Sequence, residues 1–338
     1  MDPELLIRFL STEQARRPKV IFNCLTGKRT VSVLFWALQY DLLTWLNVWP
    51  SLSWDSFEAA VNTLVKAKRV DVQSDGQLLS HETVGSPYLN TIVPVSQRRL
   101  YRMMHAKIVS DVTLLGIQAL SHRVQHDMSY FPVSVSERAR QQVRRWFKSF
   151  DEVQAQQLVE QFQQWLETLP NQQAQIFVSQ LVGAHHSGYT TMQLSQALGT
   201  PAWQIDLMQT ANLAAFSQFC QQSDSAWQQL LMPFFEPDLP KPVQQTLAAT
   251  LRHQNREKIG EERGLKPSTI NEHLLTAAIL LPIDKFPFDL CVNAGERARI
   301  AAGQPREIGA WQCGANASAD QFFKFRMTQI WETKQHES

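Results

Sequence analysis

What the 338-residue chain lacks narrows its function first. Its four cysteines, Cys24, Cys220, Cys291 and Cys313, are scattered without any CxxC or Cys/His spacing, so neither a zinc site nor a disulfide framework is indicated. No G-x-x-x-x-G-K-[ST] string occurs. Thr26-Gly27-Lys28-Arg29 lacks the first glycine and the hydroxyl after the lysine, so nothing cradles phosphates in the manner of a nucleotide-driven motor. G-x-S-x-G and H-E-x-x-H are missing as well. His185 and His186 are adjacent, which turns them to different faces of a helix, and no acid stands at ligand spacing, so they read as a loop or helix end. No catalytic residue, no metal ligand, no cofactor and no small-molecule substrate is expected. The opening Met1-Asp2-Pro3-Glu4 has neither the basic region nor the apolar stretch of a signal peptide. The nearest approach to a membrane span, Val31 to Trp49, carries Asp41 at its centre, which costs about 2.5–3.5 kcal/mol on insertion scales. A core helix and a cytoplasmic protein are the expectation.

What is present describes a globular chain. Hydrophobic residues make up 44% and charged residues 19%, which excludes disorder and a coiled-coil rod. At about 150 residues per domain, the length implies two or three domains. The near-neutral total hides a segregation of charge. Residues 1–150 carry 19 Lys and Arg against 12 Asp and Glu, whereas residues 151–250 carry Lys241 alone against 8 acids. Blocks of opposite sign suggest different partners or a mutual contact.

The apolar periodicity predicts a mainly α protein of several domains. A short helix capped by Asp2 and Pro3 is followed by a long apolar helix over roughly 31–46, which Pro50 stops. Ser53 caps the next helix, with Phe57, Val61, Leu64 and Val65 on one face. Asp75-Gly76 then joins two short alternating runs as a hairpin. Two helices and a hairpin give a winged-helix-like domain over 1–95. A helical middle domain over 96–235 holds helices near 98–126 and 134–168. A Gln-rich amphipathic stretch follows, with a possible second helix-turn-helix at 190–216. Pro233, Pro237, Pro240 and Pro242 mark the boundary of a third domain, 236–338.

The most specific motif lies in that last domain. Ile259 anchors a first helix, Gly264 ends it at a left-handed cap, and Leu265 fills the corner. Ser268 or Thr269 is placed to cap a second helix, with Glu272 completing a capping box, and Ile270, Leu274 and Ala278 turn inward. Lys258 through Ile270, with His273-Leu274, resembles the helicase-associated helix-turn-helix module that closes some RecQ-type helicases and also occurs in stand-alone bacterial proteins. Phe322, Phe323, Phe325, Arg326 and Ile330 look like its closing helix, whereas the Gly-, Ala- and Asn-rich stretch 301–319 departs from it. Leu25 to Thr30, Tyr40-Asp41 and Val48 to Ser53 are similar to the stand-alone YpbB-like proteins of low-GC Gram-positive bacteria. The resemblance implies a non-catalytic accessory protein paired with a RecQ-type DNA helicase in DNA recombination or repair.

For DNA contact, Ser268, Thr269 and Asn271 would offer polar groups at the start and outer face of the second helix, with Arg256, Lys258, Arg263 and Lys266 supplying general attraction. Glu257, Glu261, Glu262 and Glu272 nearly cancel those cations. By charge, the better candidates are the basic helices nearer the N-terminus, where Arg138, Arg145 and Lys148 recur at spacings of seven and three. A transcription regulator binding duplex DNA is the alternative, because Pro267 to Leu274 is also similar to the second helix of response-regulator output domains. Those usually end soon after that helix, whereas about 60 residues follow it here.

Overall fold

The computed structural model describes residues 1–82, 106–127, 130–133, 135–235, 237, 239–252 and 255–336. They form a mainly helical protein whose one sheet, among the described residues, is a two-stranded hairpin. No described helix is long and apolar enough to cross a membrane.

Asp2 starts α1 (Pro3–Leu6) by accepting from the Glu4 N–H at 2.8 Å, with Pro3 at the first helical position. Helix α2 (Pro18–Leu25) also begins at a proline, and α3 (Val31–Gln39) begins at Thr30, whose hydroxyl accepts from the Val33 N–H. The sequence predicts α3 to continue to about residue 46, yet it stops at Gln39. Asp41 takes a left-handed backbone, φ 53°. Its N–H and that of Leu42 turn back onto the carbonyls of Leu38 and Ala37, at 3.1 and 2.7 Å. That pair of bonds is a Schellman closure, a position glycine usually holds. A short 3-10 turn, Leu43–Trp45, and a second left-handed residue, Asn47, then lead to Pro50. Ser53 caps α4 (Trp54–Lys66) as expected, burying Phe57, Ala60 and Leu64. Strands β1 (Val70–Val72) and β2 (Leu78–Ser80) pair antiparallel, Val70 opposite Ser80 and Val72 opposite Leu78, around a tight turn with Gly76 at φ 78°.

Helix α5 (Ala106–Val124) falls within the expected 98–126; residues 98–105, with Arg98, Arg99 and Arg102, lie outside the described residues. The single helix expected over 134–168 is two, α6 (Glu137–Phe147) and α7 (Glu152–Glu167). Asp151 accepts from the Gln154 N–H and the Gln154 side chain accepts from the Asp151 N–H, both at 2.9 Å. This reciprocal box starts a new helix where the apolar stripe suggested continuity. Helices α8 (Asn171–Gln180), α9 (Thr191–Leu198), α10 (Ala202–Gln222) and α11 (Ala226–Leu231) follow. The C-terminal part holds α12 (Lys241–Leu251), α13 (Arg256–Arg263), α14 (Pro267–Leu280), α15 (Phe288–Cys291), α16 (Ala294–Ala301) and α17 (Ala319–His336).

These elements gather into two compact units, neither continuous in sequence. One comprises Met1–Ala15 and Ser51–Phe235, the other Arg16–Pro50 and Glu236–Ser338. The two helices expected to stand before the hairpin are thereby divided, α4 belonging to the first unit and α3 to the second.

In the first unit, α1 packs on α4, and the hairpin is tied to the N-terminal segment by the Ser80 N–H bond to the Ser11 carbonyl, 2.9 Å. Arg69 links Glu4 and Glu82 across the same region. The larger core is aromatic. Trp146 and Trp227 stand 5.3 Å apart, and Phe162, Trp165 and Phe216 pack around them. Each buried indole N–H is satisfied, Trp146 by the Ala226 carbonyl at 2.6 Å and Trp227 by that of Leu158 at 3.1 Å. A lone buried N–H would cost free energy, so these bonds fix which way the rings enter the core.

The second unit is built around α14. From Leu274 through Leu280 every residue of that helix is buried, against α12, α13, α17 and α3. Its partners supply Ile259, Leu34, Phe35, Phe323, Met327 and Ile330 to the core. The segment of turns after α3 is held by the Asn47 and Trp49 N–H groups, each 2.9 Å from the carbonyls of Cys24 and Leu25 respectively, at the end of α2.

Candidate functional site

Helices α13 and α14 form the helix-turn-helix read from the sequence. Asn255 caps the first by accepting from the Lys258 N–H at 2.8 Å, and Gly264 ends it at φ 61°. The turn is tight because a Cβ on Gly260 would stand 3.0 Å from the Leu265 carbonyl oxygen. The second helix starts two or three residues earlier than expected. Lys266 occupies the cap position without a side-chain bond and Pro267 is the first helical residue. Ser268 and Thr269 therefore lie inside the first turn and cap nothing, because proline's fixed φ sets the start of the helix ahead of them.

The polar residues expected to face DNA have mixed fates. Arg256 donates to the Asn271 side-chain oxygen at 2.9 Å, pairs with Asp320 of α17 and stands 4.6 Å from the centre of the Phe323 ring. Arg263 donates to Thr246, to the Pro242 carbonyl at 3.2 Å and to Gln245 at 2.9 Å, all at α12. Arg256, Arg263 and Asn271 thus join helices to one another. Burial pushes the Asp320 carboxyl up, but its bond to Arg256 and the charges of Arg256 and Lys324 outweigh that and hold it below the usual range. Lys258 is exposed beside Glu262, 3.9 Å away, and Lys266 and Ser268 are exposed, while Thr269 is half-buried. His273 faces Thr246 at 2.8 Å, and burial, together with the nearby Arg263 charge, lowers its pKa.

Beside the N-terminal half of α14 lies a groove of about 420 Å³, wholly within the second unit. Val31, Phe35 and Trp36 of α3 form one wall, and Pro267, Asn271 and Leu275 of α14 another. Phe322 and Arg326 of α17 complete it, with Ser32 and Glu272 also at its lining. Phe322 is 46% exposed, an unusual position for a phenylalanine. The Arg326 guanidinium stands 3.7 Å from the centre of the Phe35 ring and 5.3 Å from that of Phe322. Burial pushes its pKa down to about 10; Cys313 opposes that shift and the Arg17 charge adds to it. Arg17 covers Trp36 at 4.3 Å. Sequence reasoning placed Phe322 and Arg326 on the closing helix and did not see the groove. The available signal was their four-residue spacing, which puts an aromatic and a cation side by side on one helical face.

In the first unit, α6 turns Ala139, Gln142, Val143 and Trp146 inward and Arg138, Arg144, Arg145 and Lys148 outward. Arg138 stands 5.1 Å from the Phe234 ring centre and Arg140 pairs with Glu137 at 3.2 Å. Arg144, Arg145 and Lys148 have no acidic partner among the described residues. At 190–216, α9, the left-handed Gly199 and α10 do make a helix, a turn and a helix, but α10 is buried from Ala211 through Ser217. His186 lies in the loop between α8 and α9, its Nδ1 2.8 Å from the Leu181 carbonyl. Among the described residues no group of three or more His, Cys, Asp or Glu is placed to hold a metal.

Comparison with known proteins gives one relative that spans most of the chain. Over 295 residues this protein is 23% identical to Protein YpbB of Bacillus subtilis (strain 168), a match taking in 85% of this chain and 83% of the relative. The chain is YpbB-like. No family model matches it, and no solved structure matches it. The similarity to YpbB runs through both units, since a match of that length extends well beyond either one.

Proposed function

We propose that this protein is a non-catalytic adaptor of a RecQ-type DNA helicase, acting in DNA recombination or repair through protein contact and, from α6, through DNA contact. In this reading, α13 and α14 correspond to the helicase-associated helix-turn-helix module, used here as a frame for a protein-binding surface. The observation that carries it is the state of α14. Its accessible residues lie within the first two turns, that part lines an apolar groove, and the Arg256, Asn271 and Arg263 side chains next to it are hydrogen-bonded within the unit. Bidentate readout of guanine or adenine edges draws chiefly on arginine, asparagine or glutamine side chains free in the major groove, whereas the polar groups exposed here are Lys258, Lys266 and Ser268. A regulator of one duplex sequence is therefore less well supported than an adaptor.

The basic face of α6 supports a contact with phosphates that is independent of sequence, because Arg144, Arg145 and the adjoining Lys148 lack carboxylate partners among the described residues. The deciding experiment is co-elution of the full chain with the RecQ-type helicase of its own organism on a sizing column, in about 150 mM salt, where surface attraction is largely screened. A stable joint peak is expected. Separate peaks at micromolar concentrations of both proteins would overturn the adaptor reading and put the duplex-binding regulator first.

A further inference from the structure

Three arginines of the second unit are satisfied by the fold. Arg256 has Asn271 and Asp320, Arg263 has three oxygens at α12, and Arg297 has Asp289 at 2.8 Å and the Val292 carbonyl. Arg326, which lines the groove, differs from these, as does Arg17, which stands outside the lining and covers the wall residue Trp36. Each guanidinium stacks on an aromatic ring there, and neither has a carboxylate partner among the described residues. Stacking accommodates the flat face of a guanidinium and leaves its N–H edge free to donate. The lowered pKa of Arg326, which Arg17 helps to depress, reflects the same positive, incompletely solvated corner. Around that corner the groove is apolar, with Val31, Phe35, Leu275 and the half-exposed Phe322.

We propose that this groove receives an acidic, apolar peptide segment of a partner protein, its large apolar side chains packing on Phe35, Leu275 and Phe322 while a carboxylate on the same segment bonds the guanidinium edge of Arg326, with the nearby Arg17 charge adding attraction. The chemistry needs both halves. An uncharged apolar segment leaves Arg326 unpaired, and a desolvated cation without a partner is costly. A nucleic-acid strand fits less well, since it carries a charge on every unit and the groove lining offers one cation, Arg326, beside an apolar floor, with the Glu272 carboxylate exposed at the lining. The proposal rests on the adaptor reading only in taking the occupant from another protein; it does not require that protein to be the helicase.

The test is fluorescence anisotropy on the full chain with three labelled probes. One is a synthetic peptide with leucine and phenylalanine at every third or fourth position and glutamate between them. The second is the same peptide with glutamine for glutamate, and the third is an oligothymidylate. The acidic peptide is expected to bind about tenfold or more tightly than its glutamine counterpart, in line with the loss of a charge pair at an interface. Arg326→Gln should remove that preference, and Glu272→Gln should strengthen the acidic peptide by a few-fold, because it deletes a like charge. Phe322→Ser, at an exposed position, should weaken both peptides, and unchanged melting temperatures exclude misfolding as the cause.

Equal binding of the two peptides, no binding of either, or an oligothymidylate that displaces the acidic peptide would each overturn the proposal. The adaptor reading fails separately. Loss of helicase co-elution leaves the peptide affinities as they are, whereas peptide binding indifferent to Arg326 removes the groove proposal even when the helicase co-elutes.

Discussion

His273 shows how a single side chain carries a pH dependence. Its Nδ1 faces the Thr246 hydroxyl, and burial and then the Arg263 charge hold its pKa below the ordinary histidine value. The unfolded chain accepts a proton there more readily than the folded one. Below the unfolded value, near 6.5, the unfolded state binds the extra proton, so stability falls as the pH falls toward the folded value and is fully present above the unfolded one. Urea unfolding at about pH 7.5 and about pH 5.5 should show this loss. In His273→Gln the loss should be smaller, and a slope unchanged by the substitution would refute the assignment. Arg263, which depresses His273, is the residue whose expected role as a free DNA contact the local geometry turns inward. Its three oxygen partners all come from or adjoin α12, so it fastens that helix to the helix-turn-helix.

Helices end and begin where side chains satisfy the backbone groups left open, and these signals were unevenly legible in the sequence. Asp2-Pro3, Ser53 and Gly264 announce their caps directly. Asp151-x-x-Gln154 was equally present, but the apolar stripe on both sides of it masked the break between α6 and α7. The end of α3 gave no sign, because the left-handed closing position is usually glycine, and an aspartate there does not announce the stop. At α6 the outward cations could be counted from the sequence, and the structure leaves Arg144, Arg145 and Lys148 without acidic partners among the described residues. Replacing those three by glutamine should weaken binding to a generic DNA duplex. It should also make the plot of log affinity against log salt shallower by about 0.9 for each phosphate no longer neutralised. Lys258→Gln, beside Glu262 on α13, should change that slope little. A slope unmoved by the triple substitution would take α6 out of the DNA interface.

At the scale of the whole molecule, the helix-turn-helix could be found from its motif, but the wall that makes its groove could not. Periodicity tells that α3 has an apolar face and is silent on what covers it. The answer, α14 and α17, lies at the other end of the chain. A fragment of residues 236–338 should therefore not fold by itself, since it lacks the α3 side chains Leu34 and Phe35 that the second unit buries. Circular dichroism and cooperative melting should return when a 16–50 peptide is added in trans or fused to it. Cooperative melting of 236–338 alone would show that α2 and α3 are dispensable to that unit.

The interleaving of the two units has a consequence during synthesis. Residues 16–50 emerge from the ribosome well before Glu236, and the helices that cover Phe35 and Leu34 come later still. At roughly 5–20 residues per second, the wait is on the order of ten seconds or more. Throughout it, the strongly apolar α3 has only α2 and the turn that follows it as partners from its own unit, and the face that α14 and α17 cover stays open. While the first unit is being assembled around an insertion that does not belong to it, that segment is the stretch a chaperone, or a neighbouring nascent chain, meets first.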